Sequence, residues 1–469
     1  MKTSGILAAL FALTLAGCAR GPAYTTPTTP VAAAYKETPP GWKVAEPADA
    51  LDRGPWWQLF NDPLLDELER KVEVSNQTLA EAEARYRSAR ALVREQRAAL
   101  FPSVDLSGSA QRSQSSAGSS GVRPPAQSSY RIDIGGTWEP DVWGRIRSTV
   151  TAAEASAEAS AADLASARLS AQGELATNYL QLRNVDSLIA LLVATVEAYE
   201  EALRITQNRF DAGIAPRSDV LQAQTQLASA QADLEGLDRQ RAQLEHAIAV
   251  LIGEAPGNFS LAVALQNDPV VPAVPPGIPS QLLLRRPDIA AAERRVASAN
   301  ASIGAAEAAF FPDFTLTGTT GFSGPEFGRL LSASQSLWSL GLSVAQTLFD
   351  AGARDARLEQ AKADYDRTVA VYRQTALTAF GDVEDQLAAA RVLERQYELR
   401  RQASTAADEA ERLAINQYQA GRLGYADVII AQVSAFNARR QLAQVISDRQ
   451  TSTVALIQAL GGGWSAQPR

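Results

Sequence analysis

Asn208-Arg209-Phe210-Asp211-Ala212-Gly213 comes back as Asn416-Gln417-Tyr418-Gln419-Ala420-Gly421, 208 residues further along a chain of 469. At the same offset Asp219, Val220, Ala223 and Gln224 recur as Asp427, Val428, Ala431 and Gln432. Gly253 likewise recurs as Gly461 and Gly144 as Gly352. Upstream, Ala99-Leu100-Phe101-Pro102 matches Phe310-Phe311-Pro312 at an offset of 210, so the spacing shifts by two in the stretch between. A register that holds over this distance identifies two copies of one unit of about 200 residues, a period too long for a solenoid.

Each copy reads in the same order. A helical segment, about 64–100 and 287–310, ends at Phe-Pro, because proline cannot continue a helix and restricts the residue before it. Period-two alternation follows. Val104, Leu106, Gly108 and Ala110 interleave with Ser103, Asp105, Ser107 and Ser109, and Tyr130, Ile132 and Ile134 with Arg131 and Asp133. In the second copy Phe314 and Leu316 alternate with Thr315 and Thr317, and Leu340, Leu342 and Val344 with Ser339, Gly341 and Ser343. One apolar and one polar face per strand, over about nine to eleven residues, suits a tilted transmembrane β-strand. The sequence therefore predicts four such strands per chain, each pair joined by a Ser- and Gly-rich connection at about 112–128 and 319–337.

Long helices come next, predicted at about 145–205, 217–252, 353–415 and 425–459. They consist of strong helix formers (Ala, Glu, Gln, Arg, Leu) with almost no interior Gly or Pro. A run of about 60 residues reaches roughly 90 Å, beyond any globular diameter. Leu237, Leu244 and Leu251 recur every seventh residue, with Leu227, Leu234 and Ile248 between them, which marks a coiled-coil seam. The Ala-rich stretch from Thr151 to Ala167 allows close helix approach.

Four strands cannot close on themselves in a bilayer, where every backbone edge must be paired and the smallest barrels have eight strands. Several chains must share one barrel. Two would give about eight strands and a filled interior, three about twelve and a lumen lined by the polar faces.

The start of the chain carries Lys2, an apolar run from Ile6 to Leu15, then Leu15-Ala16-Gly17-Cys18. This reads as a secretory signal over 1–17, too short to span a bilayer. The last four residues resemble the bacterial lipobox, which implies a diacylglycerol and an N-acyl chain of palmitate type on Cys18; the plainer alternative is an ordinary signal that happens to contain a cysteine. Cys18 is the sole cysteine, so the exported body holds no disulfide. Ala19 rather than an aspartate follows it, which by the same resemblance points to the outer membrane. The Pro-rich stretch from Pro22 to Pro47 reads as an extended tether. The expected organisation is signal 1–17, tether 18–50, first repeat 51–260, linker 261–280, second repeat 281–464 and tail 465–469.

Composition excludes other classes. A net charge of −8 argues against a nucleic-acid partner. There is no G-x-S-x-G, no Walker A loop and no Cys/His set for zinc. The single histidine, His246, falls in a heptad-patterned helix, where it reads as a packed or solvated surface residue. No catalytic or metal-binding residues, and no cofactor beyond the lipid, are expected.

At this point the residues resemble a known family. Trp56-Trp57-Gln58-Leu59-Phe60-Asn61-Asp62-Pro63, Arg285-Arg286-Pro287-Asp288-Ile289, Leu348-Phe349-Asp350-Ala351-Gly352 and Ala459-Leu460-Gly461-Gly462-Gly463-Trp464 look like outer membrane factors of the TolC class. The lipobox places the chain nearer the NodT and OprM lipoprotein branch. The resemblance implies a homotrimer with a twelve-stranded β-barrel in the outer membrane and a coiled-coil-like α-barrel in the periplasm. It also implies a periplasmic adaptor (membrane fusion protein) and an inner-membrane pump, of RND type, as partners in exporting drugs and small toxic compounds. Two other readings stay open, a conduit for type I protein secretion and a periplasmic adaptor lipoprotein. The resemblance further implies a gate at the turn after Gly421, with the family tyrosine on Tyr418 and its first acidic position on Asp427. The chain departs at the second acidic position, Ile430, and at the family arginine, Leu423, for which Arg422 is the nearest substitute. A plainer reading makes Asp427 a residue favouring the N-terminus of the returning helix, as Asp219 does at the same place in the first repeat.

Overall fold

The computed structural model describes residues 21–37, 55–116, 123, 125–265, 269–274 and 285–462. The signal segment, Cys18 and the tail lie outside the described residues, as do parts of the tether and of the inter-repeat linker. In chain order the principal elements are α1 (Pro63–Ser75), α2 (Gln77–Ala98), β1 (Ser103–Ser113), β2 (Gln127–Trp138), α3 (Arg145–Asp211), α4 (Arg217–Leu251), α5 (Pro287–Ala308), β3 (Asp313–Gly324), β4 (Ser336–Ala345), α6 (Ala353–Gln419) and α7 (Tyr425–Ala459). The duplication is literal: α3 and α6 are both 67 residues long, and α4 and α7 both 35. Positive-φ glycines stand at matching positions, Gly144 with Gly352, Gly213 with Gly421 and Gly253 with Gly461. The fold is mainly α with one β-sheet, and it divides into two compact units.

The first unit comprises 1–28, 85–161 and 291–373. It carries an antiparallel sheet in the order β1-β2-β3-β4. Opposed residues share a face, and the register always pairs even numbers with even. Leu106 opposes Ile134, Ile134 opposes Thr320 and Thr320 opposes Trp338. On the other face Asp105, Gly135, Thr319 and Ser339 form the corresponding row. The alternation read from sequence therefore becomes one apolar and one polar sheet surface. Leu106, Ile134, Leu340 and Leu342 are all exposed in the single chain. Within the sheet β1 and β4 each have one neighbour, which leaves two open edges. Tryptophans tie the Phe-Pro turns beneath it: Trp138 Nε1 donates to the Leu100 carbonyl at 3.0 Å, and Trp143 Nε1 to that of Pro312 at 2.7 Å while stacking on Phe311.

The described part of the tether, residues 21–37, forms neither helix nor strand, and it is docked. Gly21 lies so close to Gly304 that a Cβ added to it would stand 3.1 Å from the Gly304 Cα. Asn300 donates to the Pro22 carbonyl at 2.8 Å, and the Tyr24 hydroxyl bonds Glu293.

The second unit comprises 29–84, 162–290 and 374–469. Trp56 and Trp57 belong to a buried 3-10 turn, packed edge to face, and so form core. Asp62 caps α1 by accepting from the Leu64 and Leu65 amides and also receives the Tyr179 hydroxyl at 2.6 Å. Buried Asp186 accepts from Arg183 at 2.7 Å and Arg241 at 2.8 Å. Those arginines also bond the Ala262 and Leu261 carbonyls, pinning the start of the linker. Full pairing is what makes such buried charge tolerable. Further along the tether, the Lys36 and Glu37 amides donate to the Glu384 carboxylate.

Three sequence expectations are corrected. The helix predicted over 64–100 is two helices, because Asn76 leaves helical geometry (φ −66°, ψ 122°). Its side chain accepts from the Leu79 amide and donates to the Leu251 carbonyl, offering the backbone an alternative to the helix ladder. Strand β3 continues to Gly324, into the stretch read as a connection. Helices α3 and α6 run on to Asp211 and Gln419, past the expected 205 and 415.

The same junction closes both repeats. Asn76 holds the Leu251 carbonyl at 2.7 Å, and Arg286 holds that of Ala459 at 3.3 Å while pairing with Asp288 and Asp382. A Cβ on Gly253 would stand 2.3 Å from the Ser75 carbonyl oxygen, and one on Gly461 2.3 Å from that of Arg285. Gly421 also has positive φ but open space around it. Gly421→Ala is therefore expected to cost about 1–2 kcal/mol of backbone strain. Gly461→Ala should cost clearly more, because a carbonyl must move as well. Thermal midpoints of the two variants check this, and equal shifts would show that the junction yields freely.

Candidate functional site

The two helical hairpins turn in matching fashion. Gly213 and Gly421 both have φ +71°. Gly213 N donates to the Phe210 carbonyl and Ile214 N to that of Arg209; Gly421 N donates to Tyr418 and Arg422 N to Gln417. These are the 5→2 and 6→1 bonds by which a left-handed glycine ends a helix. Pro216 then precedes α4 and Gly424 precedes α7.

Tyr418 is buried, its ring 5.5 Å from that of Tyr425, in a cluster with Val428 and Ala223 that Leu203, Ile205 and Leu423 partly cover. Burial pushes the Tyr425 hydroxyl up to about 12, so it stays protonated. Arg209 lies over the Tyr418 ring with its Cζ 4.6 Å from the centroid, and its Nη1 reaches the Tyr418 carbonyl at 3.5 Å. The guanidinium of the first hairpin thus clasps the tyrosine of the second. Sequence reading missed Arg209, although a signal was present: the repeats differ there, with Gln417 at the matching position.

The remaining expected residues do not join this cluster. Asp427 is exposed in the first turn of α7, and neither α7 nor α4 receives a side-chain cap. Asp219 is half-buried at the equivalent place on α4, close enough for its charge to act on Tyr425. Arg422 is exposed, as is Ile430. Between α4 and α7 an open groove of about 440 Å³ is lined by Leu221, Thr225, Ile429 and Ile430 among others. His246 is an exposed residue of α4. Among the described residues no group of three His, Cys, Asp or Glu side chains is placed to hold a metal ion, and no helix is long and apolar enough to cross a membrane.

Comparison with known proteins bears directly on this geometry. The family described as outer membrane efflux protein matches residues 68–254 and 278–462, one stretch in each repeat. The toluene efflux pump outer membrane protein TtgC of Pseudomonas putida is 34% identical, over 100% of this chain and 97% of its own length. The outer membrane protein OprJ of Pseudomonas aeruginosa is 32% identical over 98% and 96%. Among solved structures, the outer-membrane channel OprN superposes with a TM-score of 0.88 at 31% identity, covering 95% of this chain and 100% of that one. The open state of the Neisseria gonorrhoeae MtrE outer membrane channel gives 0.84 at 29% identity, covering 95% and 98%. Two long-helix repeats, a sheet with one apolar face and these whole-length matches lead to one conclusion: the chain belongs to the outer membrane efflux protein family, and is an outer-membrane efflux channel subunit rather than an enzyme.

Proposed function

We propose that three copies of this chain form a duct that carries small toxic compounds out of the cell, fed by an inner-membrane pump of RND type through a periplasmic adaptor. The observation that carries this reading is the sheet with open edges at β1 and β4 and one apolar face. No water is present in the bilayer core to satisfy such edges, so β1 of one copy pairs with β4 of the next. Three copies give about twelve strands, enough for a lumen. The even-numbered residues then face lipid and the odd-numbered ones, Asp105 and Ser107 among them, line the lumen. The long helices of three chains make the periplasmic barrel. The domain limits read from sequence, with repeats over 51–260 and 281–464, describe this subunit.

Cargo is proposed from chemistry and kinship. Relatives are named for efflux of toluene, antibiotics and solvents, which favours small apolar molecules over a secreted protein. At the periplasmic end Tyr418, clasped by Arg209, holds the tip together, while Asp427 and Arg422 present charge to the entrance. In a host lacking its own channel of this class, expression with a matching pump and adaptor should restore toluene resistance. Unchanged susceptibility despite assembled duct would remove the cargo assignment.

Cys18 is proposed to carry the lipid, with the barrel holding the protein in the membrane independently. Cys18→Ser behind a cleavable signal should still yield trimers in the outer-membrane fraction. A soluble periplasmic monomer would show instead that the barrel needs the lipid.

A further inference from the structure

The two strand hairpins are the basic part of an acidic chain. From 106 to 132 and from 314 to 349 stand four arginines (Arg112, Arg123, Arg131, Arg329) and one glutamate (Glu326), net +3, where the whole chain carries −8. Arg131 pairs with Asp133 on the odd-numbered face. The side chains of Arg112 and Arg329 are exposed and make no hydrogen bond or ion pair among the described residues.

The strands set the level of Arg112. The Phe-Pro turns and the starts of α3 and α6 lie at one end of the sheet, so the hairpin loops lie at the other, the outer end of an outer-membrane channel. On the even-numbered face of the four strands Arg112 is the one charged residue, preceded by Val104, Leu106, Gly108 and Ala110. It opposes Ser128, and the strand from there to Trp138 is about 34 Å long, or about 24–28 Å in height at a tilt of 35–45°. The apolar band of a membrane barrel is about 25 Å tall, which sets Arg112 at its outer edge.

The β3–β4 connection reaches the same rim. Its 3-10 turn Phe327–Arg329 leans over the even face: the Phe327 ring lies 5.6 Å from that of Tyr130, and Tyr130 opposes Ala110, two positions before Arg112. Leu330 is buried and holds the connection down, whereas Phe327 is 74% exposed. Free guanidinium groups thus adjoin bare apolar surface. Arginine grips phosphate with two parallel hydrogen bonds, and an apolar face beside it suits acyl chains. A soluble anion would have no use for that face. Resting on the barrel reading above, we propose that Arg112 and Arg329 hold the phosphate groups of a phosphorylated lipid of the outer leaflet, one site per chain, with its acyl chains over Phe327, Tyr130 and Ile132.

Native mass spectrometry of the purified trimer, titrated with bis-phosphorylated lipid A, tests this. Up to three molecules are expected to bind, and the fully dephosphorylated lipid should bind at least tenfold more weakly. R112Q with R329Q should weaken binding of the phosphorylated lipid at least fivefold at unchanged trimer yield, and R112K with R329K should recover most of it. Equal affinity for the two lipids on native protein overturns the site, and that comparison decides even if the variants assemble poorly. Assembled R112Q/R329Q trimer with native affinity also overturns it. Inorganic phosphate at millimolar concentration should leave the lipid bound; displacement would show that the rim takes free phosphate instead. If native protein runs as a monomer and inserts into no bilayer, the barrel reading itself has failed.

Discussion

Lysine in place of Leu342 is expected to remove nearly all heat-resistant trimer from the outer membrane, while lysine in place of Ser343 leaves the yield close to that of the native chain. Leu342 opposes Leu316 across β3 and β4, and Leu316 opposes Trp138, so the three form one apolar row. Ser343 opposes Thr315 on the other face. A lysine on a lipid-facing position near mid-bilayer costs about 2–4 kcal/mol, and a shared barrel contains the substitution three times. The summed penalty is therefore comparable with the whole stability of an ordinary domain, which is about 5–15 kcal/mol. Lumen-facing lysines keep their water and carry no such cost. Trimer yield on denaturing gels without heating is the measurement. Equal loss at both positions would show that the even-numbered face does not meet lipid.

Much of the fold could be read from the chain because its strongest signals are periodic. The 208-residue offset survives in Gly213 and Gly421 since both hairpins need a left-handed residue at the same place, and a glycine supplies it without strain. Strand alternation survives because a slip of one residue would carry the whole apolar set to the wrong face. What escaped was set by single side chains acting at long range. Asn76 accepts locally from the Leu79 amide, as an asparagine before a helix does, but it also holds the Leu251 carbonyl, 175 residues away, and that partnership has no local signal. The docking of the tether depends on Gly304, whose missing side chain lets Gly21 approach, and small residues in an Ala-rich helix send no sequence signal of their own. At the candidate gate the backbone turn was legible and the side-chain partnership was not. Tyr418 is buried beneath Arg209, and that pairing joins the two repeats across 209 positions.

Asp427→Ala is expected to raise single-channel conductance and entry of large antibiotics with little loss of trimer, whereas Asp219→Ala should leave conductance alone. Both aspartates occupy the third position of their helices, where a negative charge near the N-terminus contributes about 0.3–1 kcal/mol. Neither helix takes a side-chain cap from them, so loss of a capping hydrogen bond does not enter the comparison. They differ in surroundings. Asp219 is half-buried beside Tyr425, while Asp427 is exposed. We propose that in the trimer three Asp427 carboxylates gather about the axis, where like charges about 4 Å apart would repel by roughly 1 kcal/mol in water and roughly 4 at an effective dielectric constant of 20. Such a ring favours bound cations and narrows the entrance for anything else. Salt separates this from a purely local effect, because the screening length falls from about 10 Å at 0.1 M to about 3 Å at 1 M. The gain in conductance from Asp427→Ala should therefore shrink at high salt. If conductance is unchanged at every salt concentration and only the melting temperature falls, Asp427 serves its own helix and the entrance is closed by other residues.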